Sequence, residues 1–135
     1  MKQIFVNMQV QDLQRSTTFF KALGWTFNLQ FTDENATCMV ISEHIYCMLH
    51  TPSGIQRFVP KGRSVTDAHK QFEVLLAINA DSREQVEELY HKAIAAGATE
   101  CRPAEDHGFM YARSFNDLDG HIWELFWMDP NAVQG

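Results

Sequence analysis

The sequence predicts an α+β fold: two tandem β-α-β-β-β modules forming a cupped, mostly antiparallel sheet with helices on its outer face. Three observations carry that expectation. Two stretches, Ile4 to Val10 and Phe72 to Ile78, alternate with period two, the mark of half-buried strands. Each is followed by a capped helical stretch that a glycine ends, at Gly24 and at Gly97. After each helix come three further β-type stretches, so the order of elements repeats.

The elements follow in order. In the first module, residues 3–50, Ile4, Val6, Met8 and Val10 share one strand face, while Phe5, Asn7 and Gln9 share the other. Asp12 stands at a helix N-cap, with Leu13, Phe20 and Leu23 at near-helical spacing behind it. Trp25 to Phe31, Ala36 to Ser42 and Ile45 to His50 read as strands, with a turn at Asp33-Glu34-Asn35. Residues 51–70 hold Pro52, Gly54, Pro60 and Gly62 among polar residues and read as a linker. The second module, residues 71–128, opens on Phe72, Val74, Leu76 and Ile78. Ser82-Arg83-Glu84-Gln85 has the form of a capping box. Val86, Leu89, Tyr90 and Ala93 then trace the buried stripe of a helix. Strands over Thr99 to Pro103, Gly108 to Phe115 and Ile122 to Trp127 complete it.

A unit that leaves its sheet open needs its copy to bury a shared core, so residues 1–135 read as a single domain. The helices are expected to cover the Ile4/Val6/Met8/Val10 and Phe72/Val74/Leu76/Ile78 faces. That leaves Phe5, Asn7, Gln9, Glu73, Leu75 and Ala77 on the concave face.

Bulk properties exclude several classes. A hydrophobic content of 45% with 21% charged residues suits a folded chain. A net charge of −6 argues against a nucleic-acid partner, which calls for a basic face. No apolar run approaches the roughly 18 residues a membrane span requires. The first residues, Met1 to Asn7, lack an apolar signal region. Cys38, Cys47 and Cys101 are odd in number and have no CxxC spacing, which suits free thiols in a reducing compartment. The expected location is the cytoplasm.

Three stretches then resemble the vicinal oxygen chelate superfamily of glyoxalases, bleomycin-resistance proteins, fosfomycin-resistance enzymes and extradiol dioxygenases. Val10-Gln11-Asp12-Leu13-Gln14-Arg15-Ser16, with Phe19 to Gly24, looks like its first strand-to-helix passage. Asn116-Asp117-Leu118-Asp119-Gly120-His121-Ile122-Trp123-Glu124-Leu125 looks like its closing signature, with Leu118 where proline is usual. The helix end Ala95-Ala96-Gly97-Ala98 fits as well. The resemblance implies a cup holding a divalent metal, with ligands from the first and last strands of each module. Aligned on Asp12 and the closing signature, those positions fall on Phe5, Cys47, Glu73 and Glu124. Phe5 cannot ligate, and a cysteine buried in a strand is more often a small hydrophobe than a ligand. The resemblance thus implies a half-kept metal site.

Glu73 and Glu124 are the expected metal positions, with Mg²⁺ or Mn²⁺ as the ion two carboxylates would suit. Glu124 is also the candidate catalytic residue. Two inward carboxylates about 4 Å apart would repel by roughly 4 kcal/mol at an effective dielectric near 20. A metal, a cation or a shared proton must then answer them. Alternatively each accepts hydrogen bonds from a neighbour such as Arg113 or Tyr111 and is internal structure. Phe5, Asn7, Gln9, Leu75 and Phe126, with Phe109 and Tyr111 at the mouth, are the expected ligand-binding surface. His121 and Glu124 make an HxxE spacing, but three residues apart on a strand means opposite faces. His50 reads as a solvent-edge residue closing the fourth strand. Two functions compete: a protein binding a small, cationic or aromatic molecule, and a metal-dependent lyase or dioxygenase of glyoxalase type. The resemblance also implies a homodimer.

Overall fold

The computed structural model describes residues 1–132. The chain divides into two compact units, Met1–Asp67 and a second beginning at Ala68.

In the first unit, β1 (Ile4–Gln9) leads into α1 (Leu13–Ala22), then β2 (Thr26–Asn28), β3 (Ala36–Ser42) and β4 (Ile45–His50). Asp12 caps α1 by accepting the Arg15 amide at 3.0 Å, which satisfies one of the helix's orphan donors. Gly24, at φ 99°, turns the chain out of the helix, a conformation glycine adopts without a Cβ clash. The sheet order is β1-β4-β3-β2, with β1 parallel to β4 and the other pairs antiparallel. Met8, Val10, Phe19, Phe20, Leu23, Cys47 and Leu49 are buried in its core. The stretch expected as a strand through Phe31 is shorter: after Asn28 it tightens into a 3-10 turn, Leu29–Phe31, because the Asn28 side chain accepts the Gln30 amide.

The second unit runs β5 (Leu75–Asn79), α2 (Arg83–Ala95), β6 (Thr99–Glu100), β7 (Glu105–Asp106), β8 (Met110–Asn116) and β9 (Ile122–Met128). Ser82 accepts the Gln85 amide at 3.0 Å, while the Gln85 side chain accepts the Asp81 amide at 2.7 Å. The capping box is formed, with its return arm one residue further back than expected. The order is β5-β9-β8-β6, with β7 also on β8, and β5 parallel to β9. Val86, Tyr90, Ala93, Phe115, Trp123 and Leu125 fill the space between α2 and the sheet. The architecture is therefore α+β, a β-α-β-β-β unit followed by a β-α-β-β-β-β unit whose extra strand is the two-residue β7, each with a mixed sheet.

Two boundaries differ from expectation. The second module's first strand starts at Leu75, so Phe72 and Val74 are exposed instead of core. The strand expected over residues 99–103 is cut to β6, Thr99–Glu100, and an unexpected short strand, β7, follows at Glu105–Asp106 beyond Pro103, whose missing N–H cannot join a ladder.

Candidate functional site

In the first unit, the sheet face opposite α1 is built by alternate residues of β1 and β4. Phe5 lies against Tyr46, Asn7 against Met48, and Gln9 against His50. Phe5 and Tyr46 stack with ring centroids 4.5 Å apart and planes 9° from parallel. His50 is 3% exposed, so the solvent-edge reading is corrected. The 51–58 segment, with its 3-10 turn Gly54–Phe58, folds over the strand end, and Phe58 meets the imidazole edge-on at 5.3 Å.

That imidazole has a defined orientation. Asn7 donates from Nδ2 to the Phe5 carbonyl at 3.2 Å, which turns its Oδ1 toward His50 Nε2 at 2.8 Å. An amide oxygen only accepts, so Nε2 carries the proton and Nδ1 keeps its lone pair. Burial lowers the His50 pKa below the ordinary histidine value; the Arg57 charge lowers it further, and Asp33 partly opposes them. The ring is a neutral acceptor near pH 7.

Beside it lies a recess of about 230 Å³ bounded by Asp33, Asn35, Ala36, His50, Gly54 and Arg57. Its walls are tied together. Asp33 Oδ1 accepts the Asn35 and Ala36 amides at 2.8 and 2.9 Å, and the Asn35 carbonyl accepts the Thr51 amide at 2.9 Å. Arg57 lies over the Phe58 ring at 4.5 Å. Asp33 and Arg57 were missed by sequence reasoning: the first looked like turn chemistry and the second like linker. Parity set His50 opposite Cys47, but with Cys47 taken as a cup position that pointed His50 away from Asn7, and the segment that buries it carries no periodic signal.

Folding holds His50 neutral, while the unfolded chain binds its proton more readily, so acid favours unfolding. This contribution is intact above about pH 6.5 and is lost as pH falls from there toward the lower folded-state pKa. Urea unfolding at pH 7.5 and 5.5 should show a larger acid loss in the wild type than in His50→Gln. Equal losses would remove the buried-neutral imidazole.

In the second unit, Glu124 sits on β9 opposite Ser114 and Ala77, on the face away from α2. Arg102 Nη2 donates to its Oε1 at 2.6 Å, and Arg102 Nε reaches Glu105 at 3.4 Å. The Glu124 side chain is 17% exposed, and the guanidinium answers its charge. The alternative in which Arg113 or Tyr111 pairs with Glu124 is corrected. Both project to the α2 side of β8, where they donate to Glu87. Tyr111 is thereby removed from the expected ligand surface. Phe126 shares the Glu124 face, and Phe109 is half exposed in the turn before β8. Glu73 is exposed and lies ahead of β5.

A family model described as bleomycin resistance protein-like N-terminal matches residues 2–42. No curated protein matches the chain significantly. Among solved structures, a hypothetical protein from S. aureus is 24% identical with a TM-score of 0.78, covering 94% of each chain. A glyoxalase/bleomycin resistance protein/dioxygenase family enzyme from Burkholderia phytofirmans is 16% identical with a TM-score of 0.77, covering 95% of this chain and 99% of that one. A fosfomycin resistance protein from Mesorhizobium loti is 14% identical with a TM-score of 0.67, covering 96% and 93%. The chain has the vicinal oxygen chelate fold.

The metal this fold implies meets an unsuitable donor set here. The two units share a backbone pattern in which Val10 N–H reaches the His50 carbonyl and Ala80 N–H the Phe126 carbonyl. In that register Phe5 corresponds to Leu75, and Met48, opposite Asn7, corresponds to Glu124, opposite Ala77. Glu73 is thus two residues from the first-strand position, and Cys47, fully buried, faces α1. A one-residue slip is enough to turn a strand residue to the wrong face. Phe5, Met48 and Leu75 offer no hard donor, and Glu124 is already paired with a cation. Among the described residues there is no group of three or more His, Cys, Asp or Glu arranged to share a metal. The residues do not fit a divalent ion.

Proposed function

We propose that this chain binds a small polar molecule on the uncovered sheet face of its first unit, in the recess beside His50. One observation carries the reading: a buried neutral imidazole, oriented by Asn7, opens on a recess of about 230 Å³ with Arg57 and Asp33 at its edge. Burying a polar ring is unfavourable without partners, and this one satisfies a single nitrogen internally. Its second nitrogen is left as an acceptor for a guest. The volume is below the roughly 300–1,000 Å³ of drug-sized sites, so the guest is small. Phe5 and Tyr46 extend the same face as an aromatic platform.

The reading is tested by following the His50 ring signals by NMR while adding a panel of small neutral, anionic, cationic and zwitterionic fragments. At least one class is expected to shift the ring signals saturably. The same protein is then heated with Mg²⁺, Mn²⁺, Ni²⁺ or Zn²⁺. No rise in Tm is expected, since an ion that binds the native state must stabilise it. A metal-dependent rise abolished by Glu124→Gln would favour the glyoxalase-type enzyme instead. Fragments that leave His50 unmoved would refute the recess as a binding site.

A further inference from the structure

The recess beside His50 carries two opposite charges, and their arrangement narrows its guest. Resting on the small-molecule reading above, we infer that the first unit's recess takes a small zwitterion, a molecule bearing a carboxylate and an ammonium a few bonds apart.

Three features support the inference. Arg57 supplies the cation: its guanidinium lies over Phe58, and Phe58 packs edge-on against the His50 ring. The stacked guanidinium holds its plane while its N–H groups remain free to fork a carboxylate. Asp33 supplies the anion. Its Oδ1 is committed to the Asn35 and Ala36 amides, which fixes the carboxylate rotamer and leaves Oδ2 as an acceptor. His50 supplies a neutral acceptor in the same recess, because Asn7 holds the proton on Nε2. Asp33, His50 and Arg57 all line this recess.

A guest with one charge would be pulled by one wall and repelled by the other. A simple carboxylate gains from Arg57 but meets Asp33 and the Nδ1 lone pair. A simple amine gains from Asp33 and Nδ1 but meets Arg57. A zwitterion answers all three at once: carboxylate to Arg57, ammonium N–H groups to Asp33 Oδ2 and His50 Nδ1. A recess of about 230 Å³ admits a guest with few heavy atoms beyond those two groups. Net charge points the same way, since one Arg and one Asp cancel and steer neither ion class preferentially.

The experiment compares three probes on the full chain: L-alanine, propionate, which lacks its ammonium, and ethylamine, which lacks its carboxylate. Each is titrated while the His50 ring signals are read by NMR. L-Alanine is expected to bind at least about tenfold more tightly than either single-charge analogue, a difference of about 1.4 kcal/mol. Asp33→Asn keeps an oxygen for the two turn amides but removes the charge, and Arg57→Gln removes the other. Each is expected to lower alanine affinity to the analogue level. Propionate or ethylamine matching alanine would overturn the inference, as would indifference of alanine binding to both substitutions. The probe comparison needs no variant, so misfolding of either substitution cannot hide the answer. If alanine fails while other fragments move His50, the zwitterion assignment falls and the recess stands. If no molecule moves His50, both fall.

Discussion

Asp117→Ala is expected to destabilise the protein by about 3 kcal/mol, because it orphans three donors at once in the second unit. Asp117 is 6% exposed. Its Oδ1 accepts the Asp119 and His121 amides at 2.9 and 3.0 Å, and its Oδ2 accepts Trp123 Nε1 at 2.9 Å. The carboxylate therefore ties the β8–β9 turn to the largest fully buried side chain of the core. A buried indole N–H without a partner is costly, and the two backbone amides lose the group that shapes their turn. Trp123→Phe is the control. It removes the N–H and part of the ring, so its cost includes a small cavity as well as the lost hydrogen bond. It leaves both turn amides on Asp117, however, and should cost less than Asp117→Ala. Urea unfolding with a far-UV readout compares the two directly. If Asp117→Ala costs no more than Trp123→Phe, the turn is not held by this carboxylate.

The same contacts explain why the closing signature was legible while its chemistry was not. In Asn116 to Leu125 the Asp and Gly are turn devices. Asp117 gathers the amides, and Gly120 at φ 86° passes so close to residues 68–69 that an added Cβ would lie 2.7 Å from the His69 amide nitrogen. A motif built on backbone geometry specifies a fold more than a reaction. The helices were equally readable, since Asp12 and Ser82 cap through short-range bonds that sequence spacing encodes. Parity on β1 correctly separated Asn7 from Met8. The second module's first strand failed for a physical reason. Glu73 and Val74 continue the alternation of Leu75 to Asn79, but ladder pairing to β9 begins only at Leu75. Periodicity reports which residues alternate, not where hydrogen bonding starts. Counting back from the caps, ten residues before Ser82 falls on Phe72 and seven on Leu75, the distance that separates Phe5 from Asp12. Register from the cap thus finds Leu75, whereas alignment through Val10 and Ile78 finds Glu73. The pair of inward carboxylates expected from that alignment dissolves. Glu124 is answered by Arg102, a residue in an irregular stretch whose partner depends on a tertiary contact. His50, Asp33 and Arg57 were hidden for the same reason: they converge only when the 51–58 segment settles on the 33–36 turn.

That convergence makes Gly54→Ala the substitution with the largest expected effect on binding. An added Cβ at residue 54 would stand 2.7 Å from the Asn35 carbonyl oxygen and 3.1 Å from Asn35 Cβ. The carbonyl cannot simply retreat, because it already accepts the Thr51 amide at 2.9 Å. Relief requires the 51–58 segment to lift from the turn, which strains the seat of buried Ile55 and moves Arg57 away from Asp33. Overpacking of this kind costs about 1–3 kcal/mol. The fragment or alanine response at His50 should fall at least about tenfold, since each 1.4 kcal/mol lost from positioning is a factor of ten. Gln56→Ala, an exposed change in the same 3-10 turn, should leave both stability and the His50 response unchanged. Should Gly54→Ala keep wild-type stability and an unaltered His50 ring signal, the segment does not depend on this close approach. The recess would then owe its shape to β3 and β4 alone, and a guest would have to be held by the strand residues without Arg57.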